Sequence, residues 1–87
     1  MKDGELLERL TEVAQKLDIE LRWDDGDFAG GYCRLGNRGV ILMNRSLPTT
    51  RQVDILSRGL CDLDLSNVFM LPVVRRRISQ ASGQPEV

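Results

Sequence analysis

Residues 40–63 read VILMNRSLPTTRQVDILSRGLCDL, and they carry the clearest secondary-structure signals of the chain. Its first four residues are all apolar, which predicts a strand over residues 40–44 that is covered on both faces. Residues 49–52 match a capping box, in which a threonine is followed three residues later by a glutamine. Apolar side chains then recur along one helical stripe, at Val53, Leu56, Leu60 and Leu63. The stretch therefore predicts a strand, a turn at Pro48 and an amphipathic helix.

The flanking segments complete the predicted order of elements. Residues 4–17 carry apolar side chains at helical spacing, which predicts an N-terminal helix. Residues 19–23 alternate between apolar and polar types, as a strand with one buried face does. Residues 30–35 and 40–44 flank a glycine-bracketed turn and therefore predict a hairpin. Pro72 suits the first turn of a last helix. We predict an α+β fold with an N-terminal helix, a three-stranded, mainly antiparallel sheet that includes the hairpin, and then two helices.

The length and composition indicate one small domain. A chain of 87 residues supports a single small core. We predict a single domain over residues 1–80 and a flexible tail over residues 81–87. No apolar run approaches the roughly 18 residues of a membrane span, and the acidic N-terminus is not typical of a secretory signal. We therefore expect a cytoplasmic protein with no membrane contact.

Charge is unevenly distributed along the chain. Residues 1–27 carry nine acidic and four basic side chains, whereas residues 28–87 carry four acidic side chains and eight arginines. Such asymmetry is compatible with self-association, with a charged partner, or with a mere preference for arginine. A nucleic-acid surface would use the arginines of the second part, namely Arg34, Arg38, Arg45, Arg75, Arg76 and Arg77. The last three are consecutive and fan across about 200° of a helix, so they cannot all face one groove.

The chain contains no histidine, which limits the chemistry that it can perform. Two cysteines, Cys33 and Cys61, are too few to close a structural zinc site, which requires several Cys or His ligands. The acidic turn at residues 24–27 lacks the glutamate that an EF-hand loop places at its last position. We therefore predict no catalytic residue, no cofactor and no metal site.

Residues 44–63 resemble the segment that leads into the active-site helix of ImmA/IrrE-type metallopeptidases. The matching positions are Asn44, Leu47, Pro48, Arg51, Gln52 and Leu56. A helix and a hairpin precede this segment in both cases, so the resemblance extends over roughly residues 4–63. It implies a bacterial protein with the strand, turn and helix of that family. Shared ancestry and the convergence of capped helices on one pattern both fit these matches.

The HExxH motif of that family is absent from this chain. In the matching register, Arg58 stands where the family has its first zinc histidine, Gly59 replaces the glutamate base, and Asp62 replaces the second histidine. A zinc peptidase requires two imidazoles one helical turn apart and a carboxylate that activates the bound water. The resemblance therefore implies a degenerate scaffold without the catalytic chemistry of the family.

We predict a non-enzymatic protein that functions through protein–protein contacts, with itself as a homodimer or with another protein. A small sheet leaves edges and apolar surface that a second chain can cover. The predicted contact residues belong to the hairpin and to the last helix with its approach: Tyr32, Arg34, Val40, Leu42, Phe69, Val73 and Val74. The alternative is a nucleic-acid-associated regulator that uses the six arginines named above.

Overall fold

The computed structural model describes residues 1–82 of the chain. Its elements are α1 (Asp3–Lys16), β1 (Glu20–Asp24), β2 (Gly31–Leu35), β3 (Arg38–Asn44), α2 (Thr49–Cys61) and α3 (Pro72–Ala81). The predicted α+β fold, with a hairpin and two C-terminal helices, is confirmed. Ala81 still belongs to α3, and residues 83–87 of the predicted tail lie outside the described residues. Among the described helices, none combines the length and the apolar character that a bilayer crossing requires.

The sheet is mixed, with strand order β1-β3-β2. β3 pairs with β2 in antiparallel orientation and with β1 in parallel orientation, so only one of the two pairings matches the antiparallel prediction. The loop at residues 25–30 crosses the carboxyl end of β3, since β1 ends beside Asn44 and β2 starts beside Leu42. The most apolar strand thereby takes the central position, where both of its edges are paired.

The three helices lie on one side of the sheet. α1 contacts β1, α2 contacts β2 and β3, and α3 packs on α2 and α1 without contacting a described strand. Ile41 and Met43 of β3 point toward the helices and are fully buried, together with Leu10, Leu56 and Leu60. These side chains form one continuous core between the sheet and the helices.

The start of α2 differs from the predicted capping box. Pro48 precedes the first helical residue, and no side chain caps the helix. Thr49, the predicted cap, is already helical, because the Pro48 carbonyl accepts the first backbone hydrogen bonds of the helix, from Arg51 and Gln52. The last helix begins as predicted, with Pro72 at its first position, where the missing N–H leaves no bond unmade.

Candidate functional site

Asn44 joins the end of β3 to the loop between β1 and β2. Its side chain is buried, and its Nδ2 donates to the carbonyl oxygens of Gly26 at 2.9 Å and Phe28 at 2.7 Å. Its Oδ1 accepts a hydrogen bond from the backbone N–H of Ser46 at 2.9 Å. Buried polar groups require such partners, so this first position of the metallopeptidase resemblance has a complete structural role.

Gln52 ties the first turn of α2 to the preceding turn. Its Nε2 donates to the Leu47 carbonyl at 2.9 Å and to the Asn44 carbonyl at 3.4 Å. Leu56, one turn further along α2, is fully buried in the core. Asn44, Leu47, Gln52 and Leu56, which match the family, therefore build the junction between β3 and α2. Packing and hydrogen bonds explain these four residues without a catalytic role.

The positions that hold the catalytic residues of the family contain no metal-binding set. Arg58 is exposed, with its Nε 3.3 Å from Asp54 Oδ2, and a guanidinium does not ligate zinc. Gly59 is buried against the sheet, and Asp62 is an exposed residue at the end of α2. Residues 1–82 contain no group of three or more His, Cys, Asp or Glu that could hold a metal ion. One carboxylate among these three positions does not fit a zinc ion.

A side chain at Gly59 would have to displace the Ile41 side chain. A Cβ placed on Gly59 would lie 2.8 Å from Ile41 Cδ1 and 3.1 Å from Ile41 Cγ1. The glycine lets α2 approach β3 closely, which explains a residue that costs about 1 kcal/mol relative to alanine within a helix. The position of the family's glutamate base is thus a packing contact in this protein.

The surroundings of Cys61 disfavour the thiolate form. Both Cys33 and Cys61 are half-buried and unpaired with each other. Burial raises the pKa of the Cys61 thiol, and the adjacent Asp62 carboxylate raises it further. A nucleophilic cysteine requires the opposite shift, because the thiolate is the reactive form.

Asp54 connects α2 to α3 through arginines. Its carboxylate lies 3.3 Å from Arg51 and 3.3 Å from Arg58 on the same helix, and 3.4 Å from Arg77 on α3. Arg77 and Asp54 are both half-buried, so this ion pair orients the last helix on α2. Arg77, one of the predicted nucleic-acid contacts, is therefore engaged within the chain.

The other predicted nucleic-acid arginines are scattered. The six lie on β2, on β3, directly after β3 and on α3: Arg34, Arg38, Arg45, Arg75, Arg76 and Arg77. Arg45 lies 3.8 Å from Asp25 and also donates to the Trp23 carbonyl at 2.9 Å. Arg75 donates to the Val68 carbonyl at 2.9 Å. The structure does not gather these arginines into one basic surface.

The side of the sheet that faces away from the helices is open and partly charged. Arg22 and Arg38 both bond to Glu20, and the hydrogen bond from Arg22 lowers the pKa of that carboxyl group. Leu42 lies on this side and is 38% exposed, so the prediction that both faces of β3 are covered is wrong at this residue. Val40 is fully buried and cannot contact a partner, which removes it from the predicted contact set.

The other predicted contact residues divide between surface and core. Val74 is buried between α3 and the rest of the core and is also removed from the contact set. Tyr32 is half-buried and Arg34 is exposed, both on β2. Phe69 is 79% exposed, and Val73 is exposed in the first turn of α3.

Phe69 stands beside a cleft between α1 and the segment that leads into α3. The cleft has a volume of about 300 Å³. Its walls combine apolar side chains with three charged ones: Val13, Met70, Leu71, Val74, Arg9, Glu12 and Lys16, with Phe69 completing the lining. The Phe69 carbonyl accepts a hydrogen bond from Lys16 Nζ at 3.2 Å, which holds the aromatic residue at the rim. We call Phe69, Leu71 and this cleft the Phe69 patch.

No family model, curated protein or solved structure matches this chain. The surface of the chain itself is therefore the basis for a proposed function.

Proposed function

We propose that this protein is a cytoplasmic, non-catalytic interaction module that binds a protein partner through the Phe69 patch. One observation carries the proposal: Phe69 is 79% exposed beside a cleft of about 300 Å³ whose walls are part apolar and part charged. Large aromatic side chains and the pockets next to them dominate the binding energy of protein interfaces. In a chain with four aromatic residues, a phenylalanine left almost entirely in water requires a reason.

The charges around the patch favour a particular partner. Arg9 at the rim is neutralised by Glu12, with 3.0 Å between their charged atoms. The ammonium group of Lys16 bonds to a neutral carbonyl and remains free to pair with an acid. A partner segment that places an apolar side chain in the cleft and a carboxylate near Lys16 would complement the patch. The Phe69 ring would then pack against apolar surface of the same partner.

The absence of catalysis in this proposal is supported by the residues at the positions that the metallopeptidase resemblance identifies. Arg58 is a cation, Gly59 has no side chain, and Asp62 is the one carboxylate among them. The same resemblance leads us to propose a degenerate metallopeptidase-like scaffold, in which the β3–α2 junction is kept for its packing. Such a scaffold would support the Phe69 patch.

Affinity purification of matched variants from the source cell tests the proposal. The Phe69→Ser variant removes the aromatic ring from the surface, and Leu35→Ser removes an apolar side chain that is 50% exposed on the hairpin. We expect specific proteins to co-purify with the wild type and with Leu35→Ser, and to be lost with Phe69→Ser. Identical sets of proteins for all three baits would contradict the proposal.

The alternative, a nucleic-acid-associated regulator, has its own test. Fluorescence anisotropy with labelled duplex DNA and RNA at low salt would detect it, because arginine–phosphate contacts weaken steeply as salt rises. Submicromolar, salt-sensitive binding that is lost on substitution of Arg34 and Arg76 would favour this alternative over protein binding.

A further inference from the structure

The two edges of the sheet differ at one outward backbone group. At the β1 edge, the Asp24 carbonyl accepts a hydrogen bond from the Arg45 N–H on the β3 side. Because backbone groups alternate in direction along a strand, the Trp23 carbonyl faces outward. The Arg45 guanidinium binds that outward carbonyl at 2.9 Å. The β1 edge is therefore covered in part by an arginine of its own chain.

The β2 edge has no such cover. Among residues 1–82, no side chain or loop donates to, or accepts from, the backbone of Gly31–Leu35 outside the pairing with β3. The strand contains no proline and no lysine, and Arg34 is its one charged residue. An open edge of this kind offers unpaired N–H and C=O groups to another strand.

We infer that two copies of this chain pair through β2 in antiparallel orientation, about a two-fold axis at Cys33, to form a continuous six-stranded sheet. The inference rests on the proposed role in protein binding but uses a surface separate from the Phe69 patch. Cys33 is the middle residue of β2, so this register pairs the whole strand with its copy. Tyr32 of each copy then stands opposite the partner's Arg34 in the register, on the side of the sheet that carries the helices, where opposite residues are neighbours.

The position of α2 fits this pairing. α2 lies over both β2 and β3, and neighbouring strands are about 4.8 Å apart. Each α2 axis would therefore lie about 5 Å from the two-fold axis, and the two copies of α2 about 10 Å from each other. This separation is at the usual contact distance of packed helices, about 8–10 Å. The helices would extend the interface beyond the paired strands.

Charges along β2 are complementary under the same symmetry. The groove beside Gly30 and Gly31 is lined by two arginines and one acid: Arg51, Arg58 and Asp54. The groove beside the other half of β2 is lined by two acids and one arginine: Asp18, Asp64 and Arg34. Antiparallel pairing brings the first groove of one copy to the second groove of the other. A net positive region therefore meets a net negative one twice.

A charge test at the symmetry axis distinguishes this dimer from other modes of association. Cys33→Glu and Cys33→Lys each place two like charges opposite one another, which we expect to raise the dimer Kd by about tenfold or more. Light scattering over a dilution series should show dimer formation by the wild type, with a dimer–monomer midpoint about tenfold or more higher in concentration for each variant. An equimolar mixture of the two variants should return the midpoint toward the wild-type value. A wild type that is monomeric throughout the series, single variants with the wild-type midpoint, or a mixture without this recovery would each overturn the inference.

Three further measurements test folding, the position of the two-fold axis, and independence from the Phe69 patch. Circular dichroism tests whether each variant is folded. In the folded Cys61→Ser protein, mild oxidation should join the two copies of Cys33 by a disulfide bond. Cys33→Ser, which keeps Cys61, should give no covalent dimer. Phe69→Ser should leave the dimer mass unchanged even where it loses a partner protein. Loss of the dimer in Phe69→Ser would place the contact at the Phe69 patch and refute pairing through β2.

Discussion

Replacing Gly59 with alanine measures how closely α2 packs against the sheet. The new methyl group would lie 2.8 Å from Ile41 Cδ1, closer than carbon atoms approach without displacement. Alanine gains about 1 kcal/mol of helix propensity over glycine, whereas overpacking a filled core costs about 1–3 kcal/mol. We therefore expect Gly59→Ala to lower the free energy of unfolding by about 1 kcal/mol. At a surface glycine in a helix, the same substitution would raise the free energy of unfolding.

A second substitution separates the packing contact from the helix propensity. Ile41→Val removes Cδ1 and alone should cost about 1 kcal/mol. In the double variant the contact at 2.8 Å is removed and the helix gain remains, while Cγ1 stays 3.1 Å away, so the free energy of unfolding should lie within about 1 kcal/mol of the wild-type value. Urea denaturation followed by circular dichroism gives the four values of this double-mutant cycle. Additive effects, or stabilisation by Gly59→Ala alone, would refute the close approach of α2 to β3.

Four other predictions follow from single side chains. Asn44→Ala removes three hydrogen bonds at a buried site and should destabilise the fold by about 2–3 kcal/mol in urea denaturation. A change under about 0.5 kcal/mol would contradict the stabilising role of these hydrogen bonds. Ser57→Ala should stabilise the fold by about 1 kcal/mol, because the buried Ser57 hydroxyl has no partner among the described residues, and a loss of stability would contradict this unpartnered state. As the only cysteine of a variant, Cys61 should react with iodoacetamide at pH 8 more slowly than a model thiol, with its pH–rate midpoint displaced upward; an equal or faster rate would refute the raised pKa. Hydrogen bonds from Ser66 lower the pKa of Asp64, so their contribution is present above the pKa of the unfolded chain and is lost as pH falls through the folded pKa. Ser66→Ala should therefore lower the urea midpoint at pH 7 but not below the folded pKa, and an equal difference at both pH values would exclude this linkage.

Local patterns in the sequence are sufficient to locate the helices and the hairpin. A helix or strand that buries one face repeats its apolar residues with a period of about 3.6 or two residues, respectively. The strand order is not encoded in this way. Residues 19–23 could pair with either neighbour, and only the packing of the whole core places β1 parallel to β3. The exposure of Leu42 also depends on the complete fold, since an apolar strand is covered on both faces only if helices lie on both sides.

The candidate site could be predicted only in part for a related reason. Phe69 is conspicuous from its residue type, but its cleft is formed with α1, whose Lys16 is 53 positions away in the sequence. Val73 and Val74 are indistinguishable by type, and the packing of α3 on α2 decides that one is exposed and the other is buried. Asn44 at the end of a strand is typical of a turn, and nothing local indicates that it binds a loop some 16 residues earlier.

Photo-crosslinking from position 69 in living cells tests the interaction role most directly. Benzoylphenylalanine in place of Phe69 keeps an aromatic ring at the patch, and the same residue in place of Asp27, exposed in the loop between β1 and β2, serves as the control. We predict discrete protein adducts from position 69 that are absent from position 27. A lack of adducts at position 69, or the same adducts from both positions, would contradict a partner bound at the Phe69 patch.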